Sequence, residues 1–216
     1  MKYNTILFDL DGTLLYTLED LTDSINYMLS KYNYPTHPIE SVRQFVGNGL
    51  RMLVTRALPN GENQEGFDDF LNEFIDYYNH HNRIKTKPYP GILETTEKLA
   101  SMGINMAIVT NKGQTATNSL LEDYFKPHIT IAIGDDGNHA RKPDPEPINM
   151  ALKALGANDK SKVLYVGDSD VDATTAENSG LDYVLCTYGF RDMEDLKEFK
   201  PVAFIDSIDK LLDVIK

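Results

Sequence analysis

The 216-residue chain carries a single cysteine, so no disulfide can form within it. That residue, Cys186, lies in the apolar run Tyr183-Val184-Leu185-Cys186. The expected role there is a small buried hydrophobe rather than a reactive thiol. Positive charge is also scarce: 21 Lys and Arg stand against 33 Asp and Glu, a formal net charge of −12. So acidic a chain argues against nucleic acid or an anionic membrane as partner, because both are held by basic patches. It also requires any phosphate site to carry its own local cations. No apolar run approaches membrane-spanning length. The start Met1-Lys2-Tyr3-Asn4 does not lead into a charged-then-apolar leader, so a cytoplasmic protein is expected. Internal repeats and low-complexity tracts are missing too. What remains, at 41% hydrophobic and 25% charged residues, is the composition of a globular protein with a sizeable core.

The most informative stretch is the first apolar one, Ile6-Leu7-Phe8-Asp9-Leu10-Asp11-Gly12-Thr13-Leu14-Leu15. A run short enough for one buried strand ends abruptly in two carboxylates, a glycine and a threonine. Buried parallel strands read as continuous apolar runs, and ligands collect beyond their carboxyl ends. Asp9 and Asp11 are therefore expected at a strand end, with Gly12 letting the backbone turn over whatever binds there.

Helical periodicity follows. Leu18, Leu21, Ile25, Met28, Leu29 and Tyr32 recur at helical spacing until Tyr34-Pro35. A short helix after Pro38 ends at Gly47, another runs through Leu50, Leu53, Val54, Ala57 and Leu58, and a third long pattern spans Phe67 to Tyr78. Residues 17–82 thus read as an all-helical block with no strand candidate. From Tyr89-Pro90-Gly91 onward the chain alternates. Strands are expected at Asn105–Thr110, Ile129–Ile133, Val163–Val166, Tyr183–Thr187 and Val202–Ile205, with helices between most of them and a last one over Ser207–Ile215. Such alternation implies right-handed crossovers and a parallel sheet covered on both faces. The expected fold is a doubly wound α/β core, residues 1–16 and 83–216, with a small helical cap, residues 17–82, inserted after the first strand.

Three later signals fall where that fold would bring them beside the first. Ala107-Ile108-Val109-Thr110-Asn111 is an apolar strand ending in a hydroxyl and an amide. Lys142-Pro143-Asp144-Pro145 precedes a helix. Val163-Leu164-Tyr165-Val166-Gly167-Asp168-Ser169-Asp170-Val171-Asp172 is a strand running into a carboxylate cluster. Asp9 and Asp168, with the backbone oxygen of Asp11, would form a hard, oxygen-only site suited to Mg²⁺. Such an ion offsets the repulsion between a carboxylate nucleophile and an anionic phosphate. Lys142 adds a fixed charge, and Thr110 with backbone amides near Gly12 and Asn111 adds donors for the oxygens of a transferring phosphoryl group.

In this order, these boxes resemble the four motifs of the haloacid dehalogenase superfamily. Over essentially the whole chain the sequence is similar to the phosphoglycolate phosphatase-like members with a helical cap. The resemblance implies a Mg²⁺-dependent phosphatase acting on a small phosphorylated metabolite. It implies Asp9 as nucleophile, Asp11 as general acid and then base, and Thr110, Asn111, Lys142 and Gly12 around the phosphate. It also implies Asp9, Asp11, Asp168 and Asp172 around the metal, with Asp172 placed ahead of Asp170. A sugar-phosphate mutase or a pyrophosphatase shares the core, and a phospho-accepting receiver or non-catalytic binding protein is the reading from another class. In the cap, Phe45-Val46-Gly47-Asn48-Gly49-Leu50 resembles the family's substrate loop, which points to Gly47, Asn48 and Gly49, with Arg51 as the expected cation. Tyr16 departs from the pattern, since an acidic residue is usual at its position.

Overall fold

The computed structural model describes residues 1–126 and 128–216. Strand β1 (Thr5–Phe8) is buried at all four positions and lies mid-sheet, as a continuous apolar run demands. Its neighbours are β4 (Asn105–Gly113) and β6 (Val163–Gly167), both parallel, with Phe8 level with Ile108 and Val166. Outside them lie β5 (Ile131–Asp135) on one side and β7 (Asp182–Cys186) and β8 (Ala203–Ile205) on the other. The order is β5-β4-β1-β6-β7-β8, every adjacent pair parallel.

Side chains alternate across this sheet. Ile6, Phe8, Ile108 and Val166 pack on one face with α5 (Ile92–Ser101), α6 (Gln114–Tyr124) and α10 (Leu211–Val214). Leu7, Ala107, Val109 and Tyr165 pack on the other with α7 (Glu146–Leu155) and α8 (Asp170–Ser179). The fold is therefore the doubly wound α/β arrangement expected. The carboxyl ends of β1, β4 and β6 stand side by side.

Between β1 and α5 lie α1 (Leu18–Lys31), α2 (Ile39–Phe45), α3 (Gly49–Ala57) and α4 (Phe67–His81). They close around a hydrophobic cluster of their own that includes Leu21, Ile25, Val54, Phe70 and Phe74. One side chain in that cluster comes from elsewhere: Phe190, from the loop after β7, is 3% exposed inside it. Where the helical segment leaves and rejoins the sheet layer, β2 (Leu15–Tyr16) pairs antiparallel with β3 (Lys87–Pro88). The buried Asp20 carboxylate binds the returning chain there, accepting from the backbone N–H groups of Ile84, Lys85 and Thr86 at 2.9–3.1 Å. Tyr16 sits at this junction, edge-on to Tyr89 and Phe190.

Several boundaries differ from those the sequence suggested. β4 runs past Thr110 to Gly113, with its pairing to β5 irregular between Val109 and Gly113. β5 starts at Ile131, because the Ile129 N–H instead bonds back to Phe125 at the end of α6. β7 stops at Cys186, whose thiol is buried and pushed up by that burial. The C-terminal helix divides into a 3₁₀ turn, Ile208–Lys210, and α10. β2, β3 and the four-residue α9 (Met193–Leu196) are too short to leave a periodic pattern, and the sequence did not reveal them.

Candidate active site

Asp9 follows β1 directly and remains tied to the sheet, its N–H donating to Val166 O at 2.9 Å. The chain then turns tightly: Leu10 O accepts from the N–H groups of Leu14 and Leu15, and Gly12 takes a φ of +90°. A side chain at Gly12 would also stand 2.4 Å from Asp168 Oδ2, so the turn both needs glycine and fits closely over that carboxylate. Asp168, at the end of β6, accepts from the Thr13 hydroxyl at 3.0 Å and from the Phe190 N–H at 2.7 Å.

Lys142 is 5% exposed and stands 2.8 Å from Asp9 Oδ1. Its aligned hydrogen bonds, however, go to Asp172 Oδ1 at 2.8 Å and to the Tyr165 hydroxyl at 2.9 Å. Asp9 Oδ1 is thus a buried oxygen beside a cation but without an aligned donor. Asn111 clamps the lysine's backbone, accepting from Lys142 N at 2.9 Å and donating to Lys142 O at 3.0 Å. The same amide reaches Gly47 O at 3.1 Å and so joins the strand end to the helical segment.

Asp9, Asp168 and Asp172 each present an oxygen within 4.8 Å of the others. Three buried carboxylates facing one ammonium leave an excess of negative charge. Burial first, and then Asp172, push the Asp9 carboxyl up to about 7 and raise Asp168 well above the ordinary range. Burial would raise Asp172 too, but Lys142, Ser169 and Tyr165 hold it below its usual value. The donor set is all oxygen, two of its members resist ionisation, and Asp9 Oδ1 lacks an aligned donor. A small divalent cation fits such a site on charge and on ligand type. Asp172 is the most heavily engaged of the three: its two oxygens accept five hydrogen bonds, whereas those of Asp168 accept one each. Asp170 lies apart, exposed and paired with Arg191 at 3.1 Å.

Over the carboxylates lies a cavity of about 30 Å³, with Asp9, Asp11, Thr110 and Lys142 below and Leu21, Val46, Leu50 and Leu53 above. Gly47 and Gly49 line it. Asn48 and Arg51 do not. Asn48 faces an outer groove, its Oδ1 accepting from Arg56 at 2.9 Å. Arg51 is a correction to the sequence expectation. Leu53 and Val54 take the buried side of α3, and Arg51 is held outside by Glu62 and Asp68, both at 3.1 Å, lying over the Phe67 ring.

Some of the arrangement escaped the sequence reading. Lys112 is buried against the Asp11 carboxylate, although it follows Thr110-Asn111 directly and the adjacency was a usable signal. Burial alone would pull its ammonium down, but Asp11 and Tyr78 hold it charged, well above the usual lysine value. The loop after β7 carries Arg191, which donates to Val46 O at 2.7 Å, while Arg43 donates to Phe190 O at 2.8 Å and pairs with Asp192. Nothing in the local sequence marks that loop.

This sheet order, with carboxylates at the ends of β1 and β6 and a lysine between them, places the chain in the doubly wound α/β class. The sequence pattern of the haloacid dehalogenase-like hydrolases matches residues 6–186, and the chain belongs to that family. Among individual relatives, it is 36% identical over 213 residues to a phosphoglycolate phosphatase of Pseudomonas syringae pv. syringae, covering 96% of this chain and 78% of that one. It is 32% identical to the phosphoglycolate phosphatase of Psychrobacter arcticus, covering 100% and 96%. A solved structure from Lactobacillus delbrueckii subsp. bulgaricus, provisionally assigned as a phosphoglycolate phosphatase, superposes with a TM-score of 0.92 at 32% identity, covering 100% and 99%.

Proposed function

We propose that the protein is a Mg²⁺-dependent phosphatase that hydrolyses a small phosphomonoester of the phosphoglycolate type. The observation that carries this reading is the buried Asp9 carboxylate, with Oδ1 at 2.8 Å from Lys142 but without an aligned donor, below the cavity that Thr110 and Leu21 also line. In this reading an Asp9 oxygen attacks phosphorus while the bond to the ester oxygen breaks. Asp11 gives that departing oxygen a proton. Asp11 then takes a proton from water as the water attacks the aspartyl-phosphate, releasing phosphate and restoring Asp9. Lys142 and Thr110 face the phosphoryl oxygens, and the backbone amides near Gly12 and Asn111 add donors. Asp9, Asp168 and the Asp11 backbone oxygen would hold Mg²⁺, with Asp172 orienting Lys142 beside them. Bound there, the ion neutralises charge between carboxylate and phosphate.

Residues 17–82 act in this reading as a cap over a core of residues 1–16 and 83–216. The cavity lies between the carboxylates and the helices, so in this reading substrate is admitted when the helices lift and is shielded from water when they return. Leu21, Val46, Leu50 and Leu53 form an apolar ceiling above the carboxylates. The names of the relatives support phosphoglycolate as first substrate to try.

The test is phosphate release from phosphoglycolate and p-nitrophenyl phosphate with Mg²⁺ or EDTA. Turnover that needs Mg²⁺ and falls about 10³-fold or more in Asp9→Asn and in Asp11→Asn is expected. Near-normal turnover in purified Asp9→Asn would overturn the mechanism. Isomerisation of a sugar phosphate without phosphate release would make the protein a mutase instead.

A further inference from the structure

The mechanism above leaves a second buried lysine without a task. Lys112 lies in the irregular end of β4, with its side chain 1% exposed. Its ammonium donates to Asp11 Oδ1 at 3.0 Å, to Asp11 Oδ2 at 3.2 Å and to the Tyr78 hydroxyl at 2.6 Å. A lysine sealed from water persists only when its charge is paired and its donors are satisfied. An ammonium has three N–H donors, and here all three are engaged. The lysine is therefore not a vacant clamp waiting for a substrate anion. Its structural effect is to hold both oxygens of one carboxylate.

The third donor matters as much as the first two. Tyr78 is on α4, fully buried in the helical cluster and stacked on Phe74 at 6.0 Å between ring centroids. Asp11 and Lys112 belong to the sheet layer, so the chain Asp11–Lys112–Tyr78 crosses from the sheet to the helices. Were α4 to lift away, as the cap reading above requires, the lysine would lose the acceptor that fixes its position and Asp11 the fork that fixes its rotation.

We propose that Lys112 is a positioning residue that orients the Asp11 carboxylate, and that Tyr78 makes this orientation conditional on α4 being seated. The inference rests on the reading of Asp11 as proton donor and acceptor. A carboxylate that must meet a departing oxygen, and then a water, depends on placement, and a misplacement of about 1 Å can cost about 10²-fold.

Leaving-group dependence separates positioning from a structural role. An alkyl phosphate needs a proton at its departing oxygen, whereas p-nitrophenolate leaves without one. In Lys112→Met, single-turnover cleavage of an alkyl phosphate is expected to fall about 30- to 100-fold. The p-nitrophenolate burst should fall less than about 5-fold, because that step does not call on Asp11 as acid. Water attack on the phospho-protein does need Asp11, so acid-quenched Lys112→Met should carry more phosphate on the protein than wild type, read by intact mass. Tyr78→Phe, which removes one hydroxyl, should shift the same ratios in the same direction by about 3- to 10-fold, and it keeps the test open if Lys112→Met does not fold. Equal losses for both leaving groups would overturn the proposal. So would a raised KM for the alkyl phosphate at unchanged kcat, which would make Lys112 a substrate contact. Asp11→Asn serves as the reference. If it shows no leaving-group dependence, the reading of Asp11 fails; if it does and Lys112→Met does not, only the role of Lys112 fails.

Discussion

Asp172 shows how one residue can serve two parts of the site. Its Oδ2 accepts from the N–H groups of Asp168 and Ser169 and from the Ser169 hydroxyl, completing a capping box at the start of α8. Its Oδ1 accepts from Lys142 and Tyr165. Removing it would free the helix start and strip a buried lysine of its best-aligned partner. Asp172→Ala is therefore expected to cost about 3 kcal/mol in urea unfolding. Asp170→Ala, which loses an exposed pair with Arg191, should stay within about 0.5 kcal/mol. Equal effects would contradict the distinct placements of the two carboxylates. Ser169 three residues before Asp172 was a legible capping signal; the contact from Asp172 to Lys142 was not, because 30 residues separate them.

At the scale of elements, the loop between β7 and α9 ties the sheet layer to the helices. Phe190 contributes its ring to the helical cluster and its N–H to Asp168, while Tyr188 donates to Thr13 O at 3.0 Å. Gly189 passes so close to Asp168 that a side chain there would lie 2.3 Å from its Cβ. Phe190→Ala keeps the backbone donor but opens a cavity among the helices, and a loss of about 3 kcal/mol in urea unfolding is expected. A change below about 0.5 kcal/mol would show that the ring does not pack there. The long helices α1 and α4 were legible because their apolar residues repeat every three to four positions. β2 and β3 are two residues each and exist only because the chain returns beside its point of departure.

For the molecule as a whole, the acidic balance and the buried carboxylates make stability depend on what neutralises the site. In metal-free protein, Asp9 is raised to about 7 by burial and then by Asp172, and Asp168 is raised in the same direction. A carboxyl raised on folding contributes stability that is full below the ordinary carboxylate range and is lost as pH climbs toward about 7. A divalent cation bound to the ionised form counters that loss, so its effect grows over the same window. The difference in melting temperature between Mg²⁺ and EDTA is expected to be small at pH 5 and larger at pH 8, and Asp168→Asn should reduce it. A Mg²⁺ shift of equal size at both pH values would argue against these carboxylates as the site.

The sequence by itself determined the fold class and marked Asp9, Asp11 and Asp168 where apolar strands end, Thr110 late in a strand, and Lys142 in the turn before a helix. The physical reason is local: buried strands and amphipathic helices impose short periods on neighbouring residues, and a polar group ending an apolar run marks where a strand stops. Only the tertiary structure decided which charges meet. It sent Arg51 outward to Glu62 and Asp68, joined Lys112 to Asp11 beneath Tyr78, and brought Phe190 among helices more than a hundred residues earlier in the chain. Those pairings depend on burial and on proximity across the sheet and the helical segment, neither of which leaves a period in the sequence.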